Sequence, residues 1–332
     1  MWQVVGHGPA IRLLQKSLDA DRVSHAYLFS GPRHIGKSTL AVEFARAMNC
    51  RQADRPCGQC RSCRKIGSSI HPDVQIVDLE EGSRNIGIDA IRGLQEAVAL
   101  RPFEGLVKVY IIEEVERLSE PAANSLLKTL EEPPPSVVMV LTTLDATMLL
   151  PTLVSRCQQL VLRPVPTAAI EAALNRHHGI EPDRARLLAT LARGRVGLAL
   201  RMASDPSALD RRRQLIDRLT SVPEAGRVAR FEYAAELATL HGRDPDAVRE
   251  VLETWQSWWR DLLLSRLGMT DMVVNVDLVD RILVDARRHS VETLGRMVAA
   301  VQETMSLLAQ NVNARLALEV LMLSVPGVPV SR

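Results

Sequence analysis

The chain has 332 residues, 46% of them hydrophobic and 24% charged, and a formal net charge of +2. Those values describe an ordinary globular protein with room for two or three domains and ample core. They exclude a wholly basic nucleic-acid-binding domain, so any such contact must come from a local patch. The first eight residues lack a basic segment followed by an apolar run, so no secretory signal is expected. No eighteen apolar residues run together, so no membrane-spanning helix and no membrane partner are expected. Four of the five cysteines are tightly clustered, which suits a metal site in a reducing cytoplasm better than disulfides.

In chain order, residues 9–20 place Ile11, Leu14 and Leu18 at helical spacing and predict a short amphipathic helix. His25 to Ser30 reads as a buried strand and Thr39 to Met48 as a helix. Between them, Gly31-Pro32-Arg33-His34-Ile35-Gly36-Lys37-Ser38 fits the phosphate-loop pattern. The glycines let successive N–H groups converge on one anion. Lys37 can reach the outer phosphates and Ser38 can offer its hydroxyl to Mg²⁺. Thr39 opens the helix whose N-terminal dipole faces the phosphates. ATP or ADP with Mg²⁺ is the expected ligand; the alternative is a chance glycine turn.

Cys50, Cys57, Cys60 and Cys63 follow, with two overlapping Cys-x-x-Cys steps. Four thiolates can close a tetrahedral shell and leave no open position, so the expected ion is a structural zinc. A redox pair or plain buried cysteines are the alternatives. His71-Pro72-Asp73 precedes a predicted strand at Val74–Val77, and with four thiolates already present His71 suits a turn or strand-capping role. A helix is predicted over 88–100. Lys108–Ile112 is an apolar strand ending in Glu113 and Glu114, where a phosphate-loop enzyme holds Mg²⁺ and polarises water. Two exposed acids at a strand end are the alternative.

Ser119 and Pro121 start a helix that Pro133 to Pro135 stop. A further buried strand ends at Thr142 and Thr143, the latter a candidate nucleotide contact, and another covers 158–162. This alternation predicts a parallel sheet covered by helices. After Pro164-Val165-Pro166 no strand-like alternation remains, and helices are predicted over 167–177, 182–193 and from 194 onward. In the last stretch Leu252, Trp255, Trp259, Leu262 and Leu263 form one stripe, and Leu294, Met297, Val301 and Leu308 another. The tryptophans are expected to pack rather than to line a ligand box. No repeat or low-complexity tract is present.

Taken together, these motifs resemble the clamp-loader subunits of bacterial DNA polymerase III, members of the AAA+ ATPases. The resemblance rests on the phosphate loop, the four-cysteine insert, His71-Pro72-Asp73, the run from Ala122 to Pro134, and Ser155-Arg156-Cys157. It implies an α/β AAA+ phosphate-loop domain over 1–165 with the zinc module at 50–63. A small helical lid over 166–205 and an all-α C-terminal oligomerisation domain over 206–332 would follow. It also implies that Arg156 is an arginine finger acting on a neighbouring subunit's nucleotide, in place of the alternative, a surface salt bridge. Cys157 reads as a small buried hydrophobe.

Within the family the chain is most similar to the delta-prime class. The lid reads Gly194-x-x-Gly197 where motor subunits carry a phosphate-sensing Arg, and the chain ends soon after one helical domain. Glu113 in place of the usual Asp and a six-residue first cysteine gap depart from the family pattern. The implied role is a stator that binds ATP but hydrolyses it weakly or not at all. Its implied partners are gamma/tau and delta subunits in a hetero-oligomeric ring, the sliding clamp, and primer-template DNA through the assembled complex. An ATP-hydrolysing gamma/tau-type motor is the alternative.

Overall fold

The computed structural model describes residues 2–79, 83, 85–98, 100–310 and 312–327. The chain divides into two compact units, Met1–Leu200 and Arg201–Arg332. In the first, β1 (Ala26–Ser30), β2 (Val74–Val77), β3 (Lys108–Ile112), β4 (Val137–Thr143) and β5 (Gln158–Val161) form one sheet in the order β2-β3-β4-β1-β5, every pairing parallel. The central strands β1, β3 and β4 are buried along their whole length. That is why they read as continuous apolar runs rather than alternating ones.

Helices cover both faces. On one, α1 (Gly8–Asp19) and α2 (Lys37–Met48) enclose a core of Leu14, Tyr27, Phe29, Phe44, Val109 and Ile111. On the other, α4 (Ile88–Val98) and α5 (Glu120–Glu131) pack Ile91, Leu94, Leu126 and Leu130 against Leu28, Ile112 and Leu141. Ser119 caps α5, its hydroxyl accepting the Ala122 N–H. The helix over 88–100 ends at Val98, and Ala99 lies outside the described residues. A seven-residue helix, α3 (Arg61–Gly67), sits inside the cysteine cluster, and a four-residue one, α6 (Pro151–Val154), leads to β5. Three further helices follow β5, α7 (Thr167–His178), α8 (Pro182–Ala192) and α9 (Val196–Ser204).

The second unit is all-helical: α10 (Ala208–Ser221), α11 (Arg227–Arg243), α12 (Pro245–Arg266), α13 (Val279–Ala286), α14 (Val291–Ala309) and α15 (Ala314–Ser324). Its core holds Trp255, Trp258 and Trp259, each at most 2% exposed, with Leu252, Leu262, Leu294, Met297 and Val301. The tryptophans therefore pack, as their spacing predicts. Leu263 and Leu308 complete the stripes from the core's edge. Asp261, fully buried, accepts the Val274 and Asn275 N–H groups and fixes the chain after α12. Among the described residues no helix is long and apolar enough to cross a membrane.

Candidate functional site: a phosphate loop and a four-cysteine module

Strand β1 delivers the chain into the phosphate loop and α2 carries it away. Gly31 is required there, because a Cβ would lie 2.5 Å from the Leu162 carbonyl oxygen. Its N–H donates to the Thr143 carbonyl at 3.2 Å, joining the loop to the end of β4. Lys37, buried at the start of α2, donates from Nζ to the carbonyls of Gly31 (2.7 Å) and Pro32 (3.0 Å). Burial lowers its pKa, and the nearby Glu116 and Glu114 work against that shift. Ile35 is fully buried beneath the loop, Pro32 and Thr39 are exposed, and Arg33, His34, Gly36 and Ser38 are half-buried.

At the end of β3, Glu113 lies within hydrogen-bonding reach of the Ser38 hydroxyl, and burial raises its pKa despite that bond. The Ser38 hydroxyl, the Lys37 amine and the Glu113 carboxyl thus lie close together. Glu114 faces differently. It takes a left-handed backbone (φ 47°) and pairs with Arg33 at 3.0 Å and Arg117 at 2.7 Å. Thr143 is fully buried and its hydroxyl donates to the Asp145 carbonyl at 3.2 Å. Its backbone, rather than its hydroxyl, is what meets the loop.

Two contacts on the loop carry no motif. The His7 ring Nε2–H donates to the Ile35 carbonyl at 2.9 Å. The Gly197 N–H, in the first turn of α9, donates to the His34 carbonyl at 2.7 Å. A Cβ at 197 would stand 3.1 Å from that same oxygen. Position 197 is therefore a backbone contact between α9 and the loop.

The sulfurs of Cys50, Cys57, Cys60 and Cys63 all lie within 4.8 Å of one another. Tetrahedral zinc with bonds of about 2.3 Å sets its sulfurs roughly 3.8 Å apart, and Cys57 and Cys63 are 4.0 Å apart. The backbone also suits thiolates: Cys60 N–H donates to Cys57 Sγ (3.3 Å) and Cys63 N–H to Cys60 Sγ (3.4 Å). The donors from Cys60 and Gln59 lower the Cys57 thiol to about 6, while burial pushes Cys63 up. The four side chains fit one metal ion.

His71 and Asp73 are buried beside this module. His71 Nδ1 accepts the Asp73 N–H at 3.1 Å, the turn role its position predicts, and its Nε2 contacts Ser62 Oγ at 3.1 Å. Burial lowers the His71 pKa, which keeps the ring neutral. At the far edge of the sheet, between α6 and β5, Arg156 is one-third exposed. It forms an ion pair with Glu131 and donates to the Thr152 carbonyl at 2.8 Å. Cys157 is buried, and burial pushes its thiol up to about 12.

A family model for the DNA polymerase III delta subunit matches residues 6–166, and one for that subunit's C-terminal part matches 206–326. The DNA polymerase III delta' subunit of Bacillus subtilis is 31% identical over 314 residues, with 94% of each chain covered. The chain belongs to the DNA polymerase III delta' family. The tau subunit of Bacillus subtilis is 41% identical over 175 residues, but the match takes in 52% of this chain and 31% of tau. Escherichia coli tau is 37% identical over 212 residues, 62% of this chain and 32% of tau. A solved gamma-subunit-related protein of Thermotoga maritima covers 93% of this chain and 97% of its own at 20% identity, with a TM-score of 0.49.

Proposed function

We propose that this delta'-family chain is a stator of the replicative clamp loader, placed in a hetero-oligomeric ring with gamma/tau-type and delta-type subunits. That ring opens the sliding clamp and sets it on primer-template DNA in the cytoplasm. The observation that carries the reading is the match to a delta' subunit over 94% of both chains, against tau matches confined to part of each. The lid supports it. Gly197 donates its backbone N–H to the phosphate loop, so position 197 itself offers no guanidinium to a γ-phosphate bound by this chain, and Arg195 and Arg201 lie off that position.

ATP or ADP would lie along the loop from Gly31 to Gly36, its phosphates held by backbone N–H groups, Lys37 and the α2 N-terminus. Mg²⁺ would neutralise phosphate charge beside Ser38 and Glu113. In this chain Lys37 orients the outer phosphates, Ser38 presents its hydroxyl, and Glu113 holds a carboxyl at a raised pKa. Zinc would sit in Cys50, Cys57, Cys60 and Cys63, where four protein ligands leave no catalytic position.

Arg156 works outward. It rests on the Glu131 carboxylate and the Thr152 carbonyl, contacts it would exchange for a phosphoryl group bound by a neighbour. A guanidinium suits that exchange because it stays charged and forks onto two oxygens. The test is steady-state ATP hydrolysis by the purified chain alone and after addition of motor subunits, clamp and primed DNA. Binding without turnover alone, and stimulated turnover in the complex, is the expected result. Robust turnover by the chain alone would assign it to the gamma/tau-type motors instead.

A further inference from the structure

The segment between α4 and β3 spends buried polar groups on an exposed tip. Phe103, Glu104 and Gly105 donate their N–H groups to the Asp73 carboxylate at 2.7, 2.8 and 2.7 Å. Leu106 and Val107 donate theirs to Asn49 Oδ1 at 2.8 and 3.2 Å. Asp73 and Asn49 are 4% and 3% exposed. Glu104 is also tied to the cysteine module through Lys65 at 2.5 Å and Arg61 at 3.8 Å. At the centre of this bracing, the Phe103 side chain is 85% exposed and Leu106 is 45% exposed.

A fixed backbone that holds an aromatic ring in water gains nothing for the fold of the chain itself. Burial of a phenylalanine normally stabilises by about 1.5–3 kcal/mol, and here that burial is forgone. What a rigid loop does improve is association, because its ordering cost is already met before the partner arrives. Aromatic side chains are the usual anchors of such contacts.

We infer that Phe103 is a preorganised docking anchor for a partner protein, and that Asn49, His71-Pro72-Asp73 and the four-cysteine module brace it. The pocket it fits is apolar, to take Phe103 and Leu106, and acidic at its rim, to face the exposed Arg101 and Arg61. Nucleic acid fits less well, because the next residue, Glu104, is a carboxylate and an exposed leucine offers no stacking face. The loop precedes β3, so it lies at the opposite end of the parallel sheet from the phosphate loop, which follows β1. The anchor is therefore separate from the nucleotide site. It rests on the clamp-loader reading only in that the partner is sought within that assembly.

The experiment uses the full chain reconstituted with purified motor and delta-type subunits and the clamp. With a photoreactive benzoylphenylalanine in place of Phe103, irradiation is expected to cross-link one partner polypeptide, at an apolar site flanked by Asp or Glu. Phe103→Ser should weaken affinity for that partner at least tenfold while zinc content and helicity stay unchanged. Asp73→Asn, which keeps the ring, should also weaken it and speed amide exchange at 103–105. Cross-links to DNA or to this chain alone, no cross-link at all, or unchanged affinity of Phe103→Ser would overturn the inference. If the wild-type chain fails to assemble, the clamp-loader reading falls and the anchor falls with it; if it assembles and position 103 is silent, the anchor alone falls.

Discussion

Lys37 keeps its place by donating to two carbonyls of its own loop, so the cradle is set before any phosphate enters. Lys37→Ala should lower ATP or ADP affinity about 10- to 100-fold, the scale of a lost charged hydrogen bond, and calorimetry would read it. Asp73 behaves differently with pH. Burial alone would raise its pKa, but the three loop amides outweigh burial and hold it below the usual carboxylate range. The folded chain then binds this proton more weakly than the unfolded one. The stabilisation is fully present above the ordinary value of about 3.9 and is lost as pH falls through the lower folded value. Amide exchange at Phe103, Glu104 and Gly105 should therefore accelerate below about pH 4, whereas in Asp73→Asn it should be fast already at neutral pH. Equal rates in the two proteins at neutral pH would mean that the carboxylate does not hold the loop.

Among the elements, the phosphate loop, the strands and the cysteine quartet were legible because each is dictated locally. Gly31 and Gly36 answer to backbone geometry, the apolar runs to burial on both faces, and the thiols to ligand spacing. Helix α3 was not expected, since seven residues are too few for a periodic pattern. The pairs Asn49–Leu106, Asp73–Phe103 and Arg33–Glu114 are 57, 30 and 81 residues apart. Pairings of that kind leave no mark on local sequence, so the bracing of the 103–107 loop could be found only in three dimensions. The same holds for Gly197. Its sequence position suggested a missing arginine, while its backbone contact with the His34 carbonyl appears only in the structure. For the cysteine module, zinc in isolated peptides contributes on the order of 10–16 kcal/mol to folding. Here α2 and the sheet hold the flanks. Cys60→Ser should therefore release the metal and disorder the module while the sheet stays folded. Metal analysis with near-ultraviolet dichroism would detect this; full metal retention by Cys60→Ser would contradict the four-ligand assignment.

At the scale of the whole molecule, a net charge of +2 leaves any nucleic-acid contact of this chain to a local basic patch. The phosphate-loop motif and Arg156 lie at different places on one sheet: Lys37 follows β1, whereas Arg156 precedes the edge strand β5. On the proposed reading, such a chain would hold its own nucleotide and act on another subunit's. Arg156 separates these two capacities most directly. The decisive measurement is the clamp- and DNA-stimulated ATPase of the reconstituted complex containing wild-type, Arg156→Ala or Arg156→Lys chain at matched assembly. Arginine fingers in phosphate-loop enzymes are worth about 10³ to 10⁵ in rate at the site they serve. Arg156→Ala should therefore silence one site and lower total turnover in part, with folding, metal content and the chain's own nucleotide affinity unchanged. Arg156→Lys should recover little, because an ammonium lacks the planar fork. Full stimulated activity with Arg156→Ala would leave this side chain as the partner of Glu131 alone and contradict its action on a neighbour.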